Sequence, residues 1–251
     1  MACALFVVLV FAGCHKPVSY PEIIAAPHPL TDTLPAQHRI LGKSIENRLI
    51  ECLTLGYGRD VTFILAAIHG NEPAGTPLLR HLAEYLPRHP QLLAGRTVVL
   101  LPVANPDGMA RNNRDNARGV DLNRNFATTN RLDNKNSGTA PLSEPEARAI
   151  ESVIWKYKPN RIVSIHQPLA CIDYDGPAKA LAGRTAEYCD LPVKKLGAKP
   201  GSLGSYAGLE LGIPIITFEL LPGDTALSPE HLWQLYGKAL IAVIVYPDTV
   251  K

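Results

Sequence analysis

The chain has 251 residues, a length that one α/β domain routinely fills, and 46% hydrophobic against 19% charged residues supplies enough apolar material for a core and excludes a disordered chain. Lys plus Arg (25) against Asp plus Glu (23) leaves a net charge of +2 with no long basic run, which excludes nucleic acid as a partner. The 5 cysteines include no C-x-x-C pair, which argues against a disulfide scaffold and a zinc-thiolate site.

Residues 1–13 carry no charged side chain. That run is too short to span a bilayer, which takes about 20 apolar residues, and suits the h-region of a signal peptide. Phe11-Ala12-Gly13-Cys14 resembles a bacterial lipobox, in which the cysteine is lipidated after cleavage. The expectation is a signal peptide over 1–13, lipid on Cys14, and a periplasmic protein that meets the membrane only through this anchor. The alternative is a mis-started apolar N-terminus on a cytoplasmic protein. Pro17, Pro21, Pro27, Pro29 and Pro35 then make residues 14–43 a tether or an extended wrap, and the packed domain is expected over 44–251.

Four apolar runs rich in Val, Ile and Leu predict strands: Val61–Ile68, Thr97–Val103, Arg161–Ile165 and Ile213–Phe218. Leu78, Leu79, Leu82, Tyr85 and Leu86 share one helical face. Ser143 and Glu146 have capping-box spacing for a helix reaching about Tyr157, and Ser228-Pro229 opens a last helix through Trp233, Leu235 and Leu240. Strands alternating with helices predict a single α/β domain whose mixed, largely parallel sheet is covered by helices on both faces.

Just after each strand stands a polar residue: His69, Asn105, His166 and Glu219. Open α/β sheets bind ligands beyond the carboxyl ends of their strands, so these four can converge. His69 and Glu72 offer an imidazole and a carboxylate, with His166 a possible third ligand; two His and one Glu with an open position is a catalytic zinc pattern. H-x-x-E alone is weak, and the second copy, His81-Leu82-Ala83-Glu84, reads as the polar face of a helix. His69 differs because Gly70 and Pro73 turn it directly off a buried strand. His166 taken alone is equally a satisfied core histidine.

His69-x-x-Glu72, Asn105-Pro106-Asp107-Gly108, Arg114, Asn123-Arg124, His166 and Glu219 in Ile216-Thr217-Phe218-Glu219 stand in order. Together they resemble the zinc carboxypeptidase family (the M14 peptidases). The resemblance implies one zinc ion per chain held by His69, Glu72 and His166. It implies Glu219 as the general base, which takes a proton from the attacking water and hands it to the leaving amine. Asn123 and Arg124 match the pair that grips the substrate's terminal carboxylate, a task suited to a guanidinium fork. Arg114 matches the arginine that polarises the scissile carbonyl, with Arg111 and Arg118 near enough to compete. No tyrosine stands where the digestive members place one, Tyr206 being too near Glu219.

Within the family the segments His166-Gln167-Pro168-Leu169, Cys171–Pro177, Leu191–Gly197 and Pro200–Tyr206 resemble the murein peptide amidases. That implies a peptidoglycan-derived peptide as substrate and cleavage of its γ-D-glutamyl to meso-diaminopimelate bond. Asp173 and Asp175 then either pair with the free ammonium of diaminopimelate or are turn residues ahead of Gly176. Cys171 and Cys189 are possible partners in an oxidising compartment. Two other readings keep the motifs: an N-acyl amino acid deacylase of the succinylglutamate desuccinylase and aspartoacylase type, or an inactive peptidoglycan-binding lipoprotein. The second requires a lost ligand or base, and none is missing.

Overall fold

A computed structural model describes residues 36–247; the signal-peptide stretch, Cys14 and most of the proline-rich segment lie outside the described residues. Seven strands form one sheet: β1 (Gln37–Lys43), β2 (Leu49–Gly56), β3 (Asp60–Ala66), β4 (Arg96–Leu101), β5 (Arg161–His166), β6 (Cys171–Asp175) and β7 (Ile215–Glu219). Their spatial order is β1-β2-β4-β3-β5-β7-β6. The four central strands run parallel, while β1, β2 and β6 join antiparallel. The sheet is therefore mixed with a parallel centre, as the alternating pattern predicts.

Side chains along a strand alternate between faces. In β3, Ile64 and Ala66 enter a core with α1 (Gly75–Tyr85) and α5 (Pro229–Val245), while Phe63 and Leu65 enter a second core with α3 (Pro145–Tyr157). Val98 and Leu100 against Val99 and Leu101 divide β4 in the same way. Burial on both faces is why these strands read as unbroken apolar runs.

Three expectations need correcting. The sheet begins at Gln37, not at 44, because β1 is an exposed edge strand paired on one side only, with a bulge between Ile40 and Gly42, and it carries no buried apolar alternation. The capping box at α3 does not form: Pro145 fixes the first turn, Glu144 takes the N-cap position, and Ser143 Oγ instead donates to Glu144 Oε1 at 2.8 Å. His81 is not simply a solvated residue, since its ring stacks on Trp233 of α5 with centroids 4.6 Å apart. The last helix does start as expected, Ser228 Oγ accepting the His231 N–H at 3.2 Å.

Parallel β3, β4, β5 and β7 all end at one edge of the sheet, and the loops that leave them meet there. Among the described residues no helix is long and apolar enough to cross a membrane.

Candidate active site

β3 ends at Ala66, Ala67 takes a positive φ of 51°, and the chain turns so that His69 and Glu72 face β5. Gly70 is required in this turn: a Cβ there would stand 2.0 Å from the backbone carbon of Gly108. Asn105, which the strand-end rule offers as a site residue, is fully buried scaffold. Its Oδ1 accepts the Gly108 N–H at 2.9 Å as N-cap of α2 (Pro106–Ala110), and its Nδ2 donates to the carbonyls of Ile68 and Arg114, each at 3.3 Å. Asp107 is likewise structural, accepting Ser44 Oγ at 2.7 Å, the Glu46 N–H at 2.9 Å and Arg48 Nη1 at 2.7 Å.

His69, Glu72 and His166 meet behind this turn, each less than a tenth exposed. His69 Nδ1 lies 2.8 Å from Glu72 Oε1, His166 Nδ1 lies 2.8 Å from Glu72 Oε2, and the two Nδ1 atoms are 3.2 Å apart. The outer nitrogens are held from behind: His69 Nε2 lies 3.1 Å from Asp121 Oδ1, and His166 Nε2 lies 3.0 Å from Ser164 Oγ. Burial disfavours charge on Glu72, but the two imidazoles outweigh it and hold the carboxyl well below the usual range. Two imidazoles turned inward on an ionised carboxylate, each fixed by a polar group behind it, form the donor set and outer shell of a zinc site. The residues fit the ion that the motif implies.

Around these donors lies a cavity of about 220 Å³. Glu219, the last residue of β7, sits beside His166 of β5 and lines it. Burial pushes its carboxyl above the usual range, opposed by His166 and by the Leu169 N–H, which donates to Oε2 at 3.3 Å. Of the three competing arginines, Arg114 lines the cavity, whereas Arg111 pairs with Glu46 and Arg118 Nη1 lies 3.6 Å from Glu144. Arg114 donates from Nε and Nη2 to Asp121 Oδ2 at 3.2 and 3.1 Å and from Nη1 to Glu72 Oε1 at 3.1 Å. A guanidinium has five N–H donors, so two remain for a ligand.

Asn123 and Arg124 also line the cavity, on a short 3₁₀ turn whose first free amide, Asn123 N–H, is capped by Asp121 Oδ1 at 2.9 Å. Asn123 Oδ1 accepts the Leu203 N–H at 2.8 Å, and Arg124 Nη1 donates to the Asn123 carbonyl at 2.5 Å. Asp173 and Asp175 of β6 reach the same cavity, but differently. Asp175 is engaged by Lys195 Nζ at 2.5 Å, while Asp173 Oδ1 accepts only the Leu196 N–H at 2.8 Å. Tyr206 is outside the site, buried and donating to Glu151 at 2.8 Å. Cys171 and Cys189 are both free thiols.

Two site residues receive no role from the motif reading. Asp121 serves His69, Arg114 and the Asn123 turn at once. Gln167 joins three loops: its N–H donates to Glu72 Oε2 at 3.2 Å, its Oε1 accepts the Ala74 N–H at 3.1 Å and its Nε2 donates to the Leu221 carbonyl at 3.0 Å.

Comparison with known proteins agrees with this geometry. The zinc carboxypeptidase family model matches residues 32–176. Murein peptide amidase A of Escherichia coli K12 is 34% identical over 186 residues, spanning 65% of this chain and 72% of that protein. The chain belongs to the zinc carboxypeptidase family. It is a zinc-type metallopeptidase by that membership. The crystal structure of murein-tripeptide amidase MpaA from E. coli O157 matches with a TM-score of 0.68 at 26% identity, covering 86% of this chain and 94% of that one. Carboxypeptidase A from Helicoverpa armigera matches with a TM-score of 0.71 at 22% identity, covering 83% of this chain and 67% of that one, which shows the shared fold.

Proposed function

We propose that the chain hydrolyses the amide between γ-D-glutamate and meso-diaminopimelate in peptides released from the cell wall. The observation that carries this is one cavity holding the His69, Glu72 and His166 donors, the Glu219 carboxylate and the guanidiniums of Arg114 and Arg124. The similarity to murein peptide amidases supports the choice of substrate.

His69, Glu72 and His166 would hold the zinc ion, which when bound supplies Lewis acidity toward an amide carbonyl and a water molecule. Glu219 accepts the proton of the attacking water and delivers it to the leaving amine nitrogen, a transfer aided by burial that raises its affinity for a proton. The two unused donors of Arg114 face the oxygen of the scissile carbonyl as charge develops on it. Arg124, with the Asn123 amide, grips the free carboxylate of the leaving residue.

The clamp gives the test. Products from L-Ala-γ-D-Glu-meso-diaminopimelate are read by mass, alongside the same peptide amidated at the carboxylate next to the scissile bond. Leaving a charge-assisted partner unpaired costs about 2 to 5 kcal/mol, so kcat/KM should fall steeply on the amide. Equal rates on the two peptides would overturn the clamp and the exopeptidase reading. We also propose that Cys14 carries lipid and holds the enzyme on the periplasmic side of a membrane. Cys14→Ser should then leave the membrane fraction or stay unprocessed, and a parent protein recovered wholly free of membrane would refute the anchor.

A further inference from the structure

The loop that closes one side of the cavity joins the two charged ends of the proposed substrate site. At one end the Leu196 N–H donates to Asp173 Oδ1 at 2.8 Å. At the other, Gly201 takes a positive φ of 69° and packs so closely under Arg124 that a Cβ would stand 2.4 Å from the Arg124 carbonyl oxygen. Lys199 lies between these two contacts and lines the cavity. It is exposed, and its ammonium has no ion pair or hydrogen bond among the described residues.

The two acids of β6 are not equivalent. Lys195 neutralises Asp175. Asp173 is 6% exposed, and its second carboxylate oxygen has no partner among the described residues. That oxygen is not sealed away from solvent, and Asp173 lines the cavity, so it is available to accept hydrogen bonds from a ligand. Apart from the groups assigned to the reaction, Glu219 and Arg114, and the Arg124 clamp, the cavity therefore offers the Asp173 carboxylate and the Lys199 ammonium, neither in an ion pair among the described residues. A side chain ending in a single charge satisfies one of them and leaves the other unmatched. A side chain ending in an α-amino acid centre, with its own ammonium and carboxylate, satisfies both.

We propose that Asp173 and Lys199 form a dipolar clamp for the distal amino acid centre of the leaving residue, Asp173 taking its ammonium and Lys199 its carboxylate. Lys199 is then the residue that separates diaminopimelate from lysine. This rests on the substrate reading given above and deepens it.

The test uses two peptides, L-Ala-γ-D-Glu-meso-diaminopimelate and L-Ala-γ-D-Glu-L-Lys, which share every group except the distal carboxylate. The parent enzyme should prefer the first by about tenfold or more, the usual worth of a charge-assisted hydrogen bond. Lys199→Gln should lower kcat/KM on the diaminopimelate peptide about tenfold more than on the lysine peptide, so that the preference collapses. Asp173→Asn should lower kcat/KM on both, because both carry the ammonium. An equal loss on the two peptides in Lys199→Gln would overturn the inference, since it would put Lys199 on the D-glutamate carboxylate that both contain. No loss in Lys199→Gln, or a parent without preference, would also overturn it while leaving the substrate reading intact. A parent that cleaves neither peptide would overturn the substrate reading and this inference with it.

Discussion

Asp121→Asn isolates the one carboxylate on which three parts of the site depend. Its Oδ1 lies 3.1 Å from His69 Nε2 and accepts the Asn123 N–H at 2.9 Å, while Oδ2 accepts the Arg114 fork at 3.2 and 3.1 Å. Burial disfavours its charge, yet His69, Arg114 and Arg124 outweigh burial and hold the carboxyl well below the usual range. Asparagine keeps the outline but has one oxygen and one NH₂. With the oxygen toward His69, the NH₂ faces the Arg114 fork, donor against donor. With the amide turned over, it faces the Asn123 N–H and a His69 nitrogen that must donate if Nδ1 is to bind metal. Both orientations lose bonds that an ionised acceptor makes, and removing such a support behind a metal ligand typically costs about 10- to 100-fold in affinity or activity, roughly 1.4 to 2.8 kcal/mol. Zinc affinity by competition with a chelator and kcat/KM on the tripeptide should both fall by that order. If both stayed within about twofold of the parent, the argument that Asp121 positions His69 and Arg114 would be wrong.

His166→Ala should lose the zinc that metal analysis finds in the parent, because it removes one of three ligands; full occupancy in this variant would refute the ligand set. Glu219→Gln should keep zinc and fold but lose about 10²- to 10⁴-fold in kcat, since the amide cannot accept the proton; turnover at the parent rate would remove Glu219 as the base. Asp107→Asn should destabilise the fold by about 1 to 3 kcal/mol, as a buried acceptor of three hydrogen bonds is weakened. Burial opposes ionisation of Asp107, but Ser44, Glu46 and Arg48 hold its carboxyl below the usual range. Its contribution is therefore complete above the unfolded value of about 3.9 and disappears as pH falls toward the lower folded value. Urea melts at pH 6 and pH 3 should show a smaller gap between parent and variant at the lower pH, and an unchanged gap would contradict the assignment.

What could be read from the sequence divides along burial. β3, β4, β5 and β7 are covered on both faces, so their residues form unbroken apolar runs that differ from their surroundings. β1 is an edge strand with exposed side chains, β2 is half-exposed, and β6 spends two of its five residues on Asp173 and Asp175. None of the three concentrates apolar residues as the central strands do. Their place is fixed by backbone pairing to a strand that already exists, a bond every sequence can make. The boundary at 44 was misplaced for this reason, and the proline-rich composition ahead of it pointed the same way.

The site divides differently. His69, Glu72, His166, Glu219 and Arg114 can be named because each chemistry demands a particular residue type at the end of a recognisable strand or within a motif. Asp121 and Lys199 demand nothing of their neighbours in sequence. Asp121 matters because His69, 52 positions away, brings an imidazole nitrogen to it. Lys199 matters because one loop spans the distance between Asp173 and Arg124. Asp175 shows the converse: side by side on one strand, Asp173 and Asp175 look interchangeable, yet Lys195 reaches only Asp175. A pattern in sequence identifies groups that can do chemistry. Which of them remain free to do it is decided by who else arrives: among the described residues Asp173 and Lys199 both line the cavity without an ion pair, whereas Asp175 has one.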